Sequence, residues 1–132
     1  MKRFGLSVNE RIKRKKDFEL IFSAGSPIYS KKKLLKAIYA VELTDTAVQI
    51  KIAAVAGKKL GNAVWRNRVK RLIKESYRLN KEILSETCLR KNISLKIIFS
   101  PFALNQNKYR SLFLKDLMPE VIELMTIIKN RI

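Results

Sequence analysis

Residues 48–79 read VQIKIAAVAGKKLGNAVWRNRVKRLIKESYRL, and this stretch decides how the rest of the chain is interpreted. In residues 48–56 one set of alternate positions is entirely apolar and the other begins with Gln49, Lys51 and Ala53, which is the period of a β-strand that buries one face. Gly57 ends that strand. From Asn62 onward the apolar side chains recur every three or four positions, which predicts an amphipathic helix with Asn62 as its N-cap.

The predicted helix has a cationic side and an apolar side. Residues 58–81 hold nine Lys or Arg and a single acid, Glu75. Side chains four positions apart lie above one another on a helix, so four of the cations form a ridge: Arg66, Lys70, Lys74 and Arg78. The apolar side consists of Trp65, Val69, Leu72, Ile73, Ser76 and Leu79, with Arg68 and Tyr77 at the borders. An ordinary solvated helix would interleave acids with these cations, so we interpret the ridge as a site for RNA.

Composition limits the classes of protein that fit this chain. Its 132 residues suffice for one domain with a core, and 47% of them are hydrophobic, which argues against disorder. A formal net charge of +18 favours polyanionic partners, either nucleic acid or an anionic membrane surface. One cysteine, Cys88, cannot form an internal disulfide, and we recognise no signal peptide or membrane-spanning segment. We therefore expect a cytoplasmic protein.

The absence of histidine argues against an enzyme. Histidine is the commonest general base and metal ligand, and with one cysteine the chain cannot assemble a zinc site or a Cys–His nucleophile. The carboxylates are scattered, and the four glycines form no phosphate-binding loop. We therefore predict no catalytic residue, no protein-bound metal and no small-molecule substrate.

The segments before the basic helix predict an arm, a short helix and a hairpin. Residues 1–16 are rich in Lys and Arg, and we interpret them as a flexible basic arm. A short amphipathic helix follows around Phe18 and Phe22, which share one face because they are four positions apart. Residues 34–43 form a strand, which we expect to pair with the strand over residues 48–56.

The segments after the basic helix, which fades over residues 80–85, predict one more strand and one more helix. Residues 95–99 form the strand, and residues 108–129 form the helix, which Pro119 should kink or split. The core stripe of that helix is Leu112, Leu117, Val121, Leu124, Met125 and Ile128. The order helix, strand, strand, helix, strand, helix predicts a single α+β domain over residues 1–132, an α/β sandwich with helices packed on one sheet.

The basic run also resembles the signature of a known family. The pattern Leu60-x-x-Ala63-x-x-Arg66-Asn67-Arg68-Val69-Lys70-Arg71-x-Ile73-Lys74 resembles the arginine-asparagine-arginine signature of the bacterial ribonuclease P protein subunit. Two further patterns are similar to the same family, Lys58-Lys59-x-Gly61-Asn62 and Arg11-x-Lys13-x-x-x-Asp17-Phe18-x-x-x-Phe22-x-x-Gly25. The resemblance therefore covers nearly the whole chain.

The resemblance implies both a fold and a role. The fold would resemble the second domain of ribosomal protein S5, with a left-handed crossover in place of the usual right-handed one. The role would be that of a protein cofactor for the ribonuclease P catalytic RNA, which removes the 5′ leader from precursor tRNA. Hydrolysis would be carried out by the RNA with its bound Mg²⁺. Endoribonuclease activity would thus belong to the RNA–protein complex, and none is expected of the isolated chain.

The resemblance also implies two binding surfaces. The basic helix would contact the catalytic RNA through Arg66, Asn67, Arg68, Lys70 and Arg71, with Lys58, Lys59, Asn62 and Lys74 close by and Arg78 at the end of the ridge. A cleft between the first helix and the sheet would bind the single-stranded leader. The rings expected there are Phe18, Phe22 and Tyr39, and the cations expected to hold leader phosphates are Lys31, Lys32 and Lys33. The alternative for the two phenylalanines is core packing.

Other interpretations of the same charge stay open. A general RNA-binding or ribosomal-type protein without a processing role would carry a similar basic face. A basic amphipathic helix could also lie on an anionic membrane surface, although its apolar side is expected to pack on the sheet. An enzyme in its own right would need catalytic groups that the sequence does not offer.

Overall fold

A four-stranded mixed sheet runs through residues 10–132, the part of the chain that the structure, a computed structural model, describes. The strands are β1 (Ser26–Tyr29), β2 (Leu35–Leu43), β3 (Ile50–Ala54) and β4 (Ile93–Pro101). The helices are α1 (Lys15–Ala24), α2 (Ala63–Leu79), α3 (Glu82–Lys91) and α4 (Leu114–Arg131), and a short 3-10 helix covers Lys58–Leu60. The predicted α+β class is confirmed.

The strand order is β1-β2-β4-β3, so the predicted hairpin of β2 and β3 is wrong. Strand β4 lies between them, antiparallel to β2 and parallel to β3. The reason is the apolar character of β4 on both faces, because the consecutive residues Ile97, Ile98 and Phe99 are all buried. A strand of this kind is most stable in the middle of a sheet with helices on either side. The strand–helix–strand unit from β3 to β4 is parallel, and the hand of its crossover stays a prediction.

The sheet separates two hydrophobic cores. One large cluster combines the face of β4 that carries Ile97 and Phe99 with buried side chains of α2, α3 and α4. A small cluster on the other face joins Ile98 to Ile12 and to Ile21 of α1. Successive side chains of a strand point to opposite faces, so α1 and α2 lie on opposite sides of the sheet.

Two elements were not predicted from the sequence. Strand β1 pairs antiparallel with β2 along the outer edge of the sheet. Helix α3 occupies the segment in which the basic helix was expected to fade, and it ends at Asn92, whose φ of 55° is the left-handed conformation common at helix C-termini. Its Cys88 is fully buried, and this burial raises the pKa of the thiol to about 11.

A flexible basic arm was predicted over residues 1–16, and the structure of residues 10–16 differs from that prediction. Residues 1–9 lie outside the described residues. Beyond them, Arg11 forms a parallel bridge with Ile52, and the Ile12 amide donates to the Ile52 carbonyl at 3.0 Å. The segment is therefore held against the edge of β3. Its Ile12 side chain packs in the small core, and the edge strand offers backbone groups that no neighbouring strand pairs.

Helix α4 is a single element that passes through Pro119 without splitting. It begins later than predicted, and residues 102–113 form the connection from β4. All six residues of the predicted core stripe are buried; five of them lie on α4, and Leu112 belongs to the connection that precedes it.

Candidate nucleic-acid interface

Helix α2 begins where the sequence predicted. The Asn62 side chain accepts a hydrogen bond from the Trp65 amide at 2.9 Å, which caps the helix. Trp65, Val69 and Ile73 are buried as expected, and so is Tyr77, which was placed at the border. Leu79, expected on the apolar side, is 50% exposed, so the buried side of the last turns is rotated towards Tyr77.

The outward side of α2 carries the predicted cationic and amide side chains. Those exposed to solvent are Lys58, Lys59, Asn62, Asn67, Arg71 and Lys74, and those partly buried are Arg66, Arg68, Lys70 and Arg78. The ten side chains extend from the 3-10 helix to the last turn of α2, and Arg66 and Arg68 lie on opposite flanks of the helix because it advances about 100° per residue.

Backbone carbonyls hold both arginines of the signature in place. The Nε of Arg66 donates to the carbonyl of Gly61 at 3.1 Å. The Nε of Arg68 donates to the carbonyl of Leu112 at 2.7 Å. Each bond fixes the plane of a guanidinium group. The two terminal nitrogens of that group stay available to bind a phosphate through two parallel hydrogen bonds.

Positive charge is concentrated in the middle of the face. Although much of the Lys74 side chain is exposed, desolvation of its ammonium group lowers its pKa, and the nearby charges of Arg11 and Lys70 lower it further. At the end of the helix, Arg78 pairs with Glu75, with 2.6 Å between Nε and Oε1. The contribution of Arg11 to this charge was not predicted from the sequence, because the N-terminal segment was expected to be flexible.

The two predicted leader-binding phenylalanines lie on α1 in different environments. Phe18 is half-buried against the small cluster, so part of its surface serves the core. Phe22 is 54% exposed. Tyr39 does not join them, because it is buried in the large core while its neighbours Ile38 and Ala40 face α1. The Tyr39 side chain therefore packs on the face of β2 opposite α1, although Tyr39 also contributes to the lining of a groove beside α1, and its contact with the leader stays a prediction.

Another pair of rings lies on the α1 face of the sheet. Lys36 precedes Ile38 by two positions and so points to the same face, and Tyr29 is its partner across β1 and β2. The ring of Tyr29 packs edge-on against that of Phe102, with 4.9 Å between centroids. The Nζ of Lys36 lies 5.9 Å from the centre of the Phe102 ring. Both rings are nearly half exposed, and no periodicity could reveal them because Phe102 belongs to a connection.

The three predicted leader-binding lysines are close to this ring pair. Lys31, Lys32 and Lys33 are exposed in the turn between β1 and β2. The carbonyls of Lys33 and Leu34 accept hydrogen bonds from the amides of Ala103 and Phe102 at 2.9 and 2.8 Å. The structure thus brings the lysine turn together with Phe102.

A groove of about 720 Å³ lies between α1 and strands β2, β3 and β4. Its lining includes Leu20, Ala24, Lys51 and Lys96, and an ion pair between Lys96 and Asp17 at 3.2 Å stands beside it. Leu20 and Ala24 lie on the flank of α1 that faces away from Phe22, because the helix advances about 100° per residue. The groove and the exposed phenylalanine therefore offer two separate surfaces beside the same helix.

Neither a metal site nor a membrane span is found in the described part of the chain. Residues 10–132 contain no group of three or more His, Cys, Asp and Glu side chains that could share an ion. No helix among them combines the length and the apolar character needed to cross a bilayer.

Comparisons with known proteins agree on one family. The family model described as Ribonuclease P matches residues 6–115. The ribonuclease P protein component of Porphyromonas gingivalis is 34% identical over 99 residues, which cover 73% of this chain and 69% of that protein. The ribonuclease P protein of Thermotoga maritima superposes with a TM-score of 0.69 at 20% identity, over 89% of this chain and 96% of that one. The ribonuclease P protein of Staphylococcus aureus gives 0.67 at 21% identity, over 91% and 95%.

Proposed function

This chain belongs to the bacterial ribonuclease P protein family, and on that basis we propose that it is a protein cofactor of ribonuclease P in the cytoplasm. It would bind the catalytic RNA through α2 and the 5′ leader of precursor tRNA through the α1 side of the sheet. The RNA, together with the Mg²⁺ that it holds, would cleave the leader. The protein would add affinity for the leader and would screen repulsion where the two RNAs meet.

The observation that carries the proposal is the cationic face of α2. Two arginines are held by backbone carbonyls, and the other cations of the face are exposed or partly buried along the 3-10 helix and α2. A guanidinium group that is already oriented loses less conformational entropy when it binds phosphate, and it can bind in a bidentate manner. The Nε of Arg11 is buried without a hydrogen-bond partner beside this face, so added anionic charge there would also be stabilising.

The leader half of the proposal is supported by exposed rings on the other face of the sheet. Phe22 is the accessible ring on α1, and Tyr29 with Phe102 forms a second aromatic surface next to the lysine turn. An aromatic ring that stacks on an unpaired base contributes about 1–3 kcal/mol to binding and discriminates little between the four bases. Lys36 and the residues of the turn supply charge for the leader phosphates.

The separation of the two surfaces supports a bridging role. The side chains that anchor α2 belong to the large core, and those that anchor α1 belong to the small cluster across the sheet. One RNA lying on α2 would therefore leave the α1 face accessible to a second RNA.

Reconstitution tests this function. The chain is combined with the ribonuclease P RNA of the same genome, and precursor tRNA cleavage is followed at a Mg²⁺ concentration at which the RNA alone is slow. We expect faster cleavage with the protein, less stimulation with Arg71→Ala, and none from the protein alone. The matched charge control is Lys129→Ala, at the far end of α4.

Each contrary result points to a different protein. Tight binding of RNA without any stimulation would favour a general RNA-binding or ribosomal-type protein. Cleavage by the RNA-free protein would indicate an enzyme. Equal affinity for precursor and mature tRNA in the reconstituted complex would remove the leader-binding half of the proposal.

A further inference from the structure

The connection between β4 and α4 forms hydrogen bonds with the residues at the start of α2. The Gln106 side chain accepts from the Asn62 amide at 2.8 Å, and the Trp65 indole donates to the Tyr109 carbonyl at 2.8 Å. The Nε of Arg68 then donates to the Leu112 carbonyl at 2.7 Å. The bonds follow one another along both segments, so the position of residues 106–113 is fixed relative to the cationic face.

The connection ends in an exposed aromatic ring, Phe113. This ring is 54% exposed and takes no part in either core, whereas its neighbour Leu112 is buried. The Cζ of Arg68 lies 5.6 Å from its centroid, and the Nζ of Lys115 lies 5.9 Å from it. Both cations therefore lie within cation–π distance of the Phe113 ring, at the border where α2 meets α4.

Packing does not account for a phenylalanine at this position. The backbone amide of Phe113 donates to the Asp116 carboxylate at 2.8 Å, which satisfies the start of α4 whatever side chain residue 113 carries. Exposed cation–π contacts contribute only about 0.5–1 kcal/mol each. An unpaired base stacked on the ring would contribute about 1–3 kcal/mol, with two cations ready for the adjoining phosphates.

We propose that Phe113, Arg68 and Lys115 form a stacking platform for an unpaired nucleotide of the catalytic RNA. The platform extends the RNA surface from α2 across to the start of α4. It rests on the proposed function, because it assigns a further contact to the same partner. The partner is the catalytic RNA rather than the leader, since the platform adjoins α2 and lies on the sheet face opposite α1.

The test compares substitutions that separate the ring from its bulk and its charge. Dissociation constants for the catalytic RNA are measured for Phe113→Ala, Phe113→Leu and Phe113→Tyr. We expect Ala and Leu to weaken binding about five- to 150-fold, which corresponds to 1–3 kcal/mol, and Tyr to keep the affinity of the unsubstituted chain. Thermal unfolding of the free proteins should be nearly unchanged, because the ring is outside the cores.

Charge and location have their own controls. Lys115→Ala should weaken binding more than Lys129→Ala, which removes the same charge about 21 Å further along α4. Chemical probing of the RNA bases should show one unpaired nucleotide that the protein protects and that Phe113→Ala exposes.

Three outcomes would overturn the platform. They are an unchanged dissociation constant for Phe113→Ala, full affinity with Phe113→Leu, and a loss confined to precursor tRNA. Failure of the unsubstituted chain to bind or stimulate the catalytic RNA is a different result, since it would reject the proposed function itself.

Discussion

The two arginines of the signature differ from the lysines around them in how they are held. Lys70 and Lys74 can rotate about four side-chain bonds, whereas Arg66 and Arg68 each donate Nε to a backbone carbonyl. A fixed guanidinium group presents its terminal nitrogens in one direction, so its geometry contributes to binding as well as its charge. Charge alone therefore does not describe what residue 68 provides.

Arg68→Lys should consequently behave as a damaging substitution. It keeps the charge but cannot reproduce the planar fork, the bond from Nε to the Leu112 carbonyl or the guanidinium contact with Phe113. We expect catalytic RNA binding to weaken about tenfold or more, since hydrogen bonds to charged groups contribute about 1.5–3 kcal/mol. Equilibrium binding at constant salt measures this loss.

The matched control is Arg71→Lys, at an exposed position on the same helix. No backbone carbonyl within residues 10–132 accepts a hydrogen bond from that side chain, so the substitution should have a smaller effect. Equal losses of RNA affinity at positions 68 and 71 would mean that the orientation of the guanidinium group is unimportant and that only its charge contributes to binding.

At the scale of single elements, α2 depends on the cap at its start. The Asn62 side chain bonds the Trp65 amide, whereas the contact with Gln106 uses the Asn62 backbone and survives substitution. Asn62→Ala should therefore lower the free energy of unfolding by about 1 kcal/mol and Tm by about 3–5 °C in the RNA-free protein. Calorimetry or circular dichroism measures both.

Two substitutions at the same position separate capping from other effects. Asn62→Asp retains an acceptor at the N-cap and should stay close to the original stability. Asn62→Gly should cost only a few tenths of a kcal/mol. A loss with Asp as large as that with Ala would show that the cap bond is not the source of the stability.

The sequence was most informative for elements whose period is long and regular. The cap and the buried stripe of α2 were predicted from residues 62–79 alone, and so was the core stripe of α4. The pairing of strands was not, because alternation reports which face of a strand is buried and not which strand lies beside it. The consecutive buried residues Ile97 and Ile98 were the available signal that β4 is central.

Short or irregular segments were the least predictable. Helix α3 has ten residues and only a modest apolar stripe, so its stability comes from packing of Leu84 and Cys88 rather than from its local pattern. Phe102 and Phe113 lie in or at the end of a connection, and only tertiary contacts reveal that they are exposed beside cations. The direction of the Tyr39 side chain was difficult to predict, because a shift of one position moves a strand side chain to the other face.

At the scale of the whole molecule, the sheet separates two surfaces that are expected to bind RNA through different interactions. The α2 side offers mainly cations, whose binding to phosphate releases counterions and falls steeply with salt. The α1 side offers Phe22 and the pair of Tyr29 and Phe102, whose stacking on bases depends less on salt. The affinity of the complex for RNA and its preference for a leader should therefore respond differently to ionic strength.

Raising the salt concentration should weaken binding of both precursor and mature tRNA to the reconstituted complex, and their ratio should fall less steeply than the affinities, because the leader is bound by rings as well as by cations. Phe22→Ala should reduce that ratio about fivefold or more at every salt concentration, because it removes a base-stacking ring. Arg71→Ala should instead lower the slope of log affinity for the catalytic RNA against log salt by about one and leave the ratio intact.

The matched control on α1 is Leu20→Ala, because Leu20 is 56% exposed and Phe22 is 54% exposed. Leu20 lines the groove on the other flank of the helix, so the pair of substitutions locates the leader. If Leu20→Ala reduces the precursor preference and Phe22→Ala does not, the leader lies in the groove and the aromatic surface is not its site. If the ratio collapses with salt in the unsubstituted complex, the preference comes from phosphate contacts, for which the candidates are the lysine turn at residues 31–33, Lys36, and Lys51 and Lys96 of the groove.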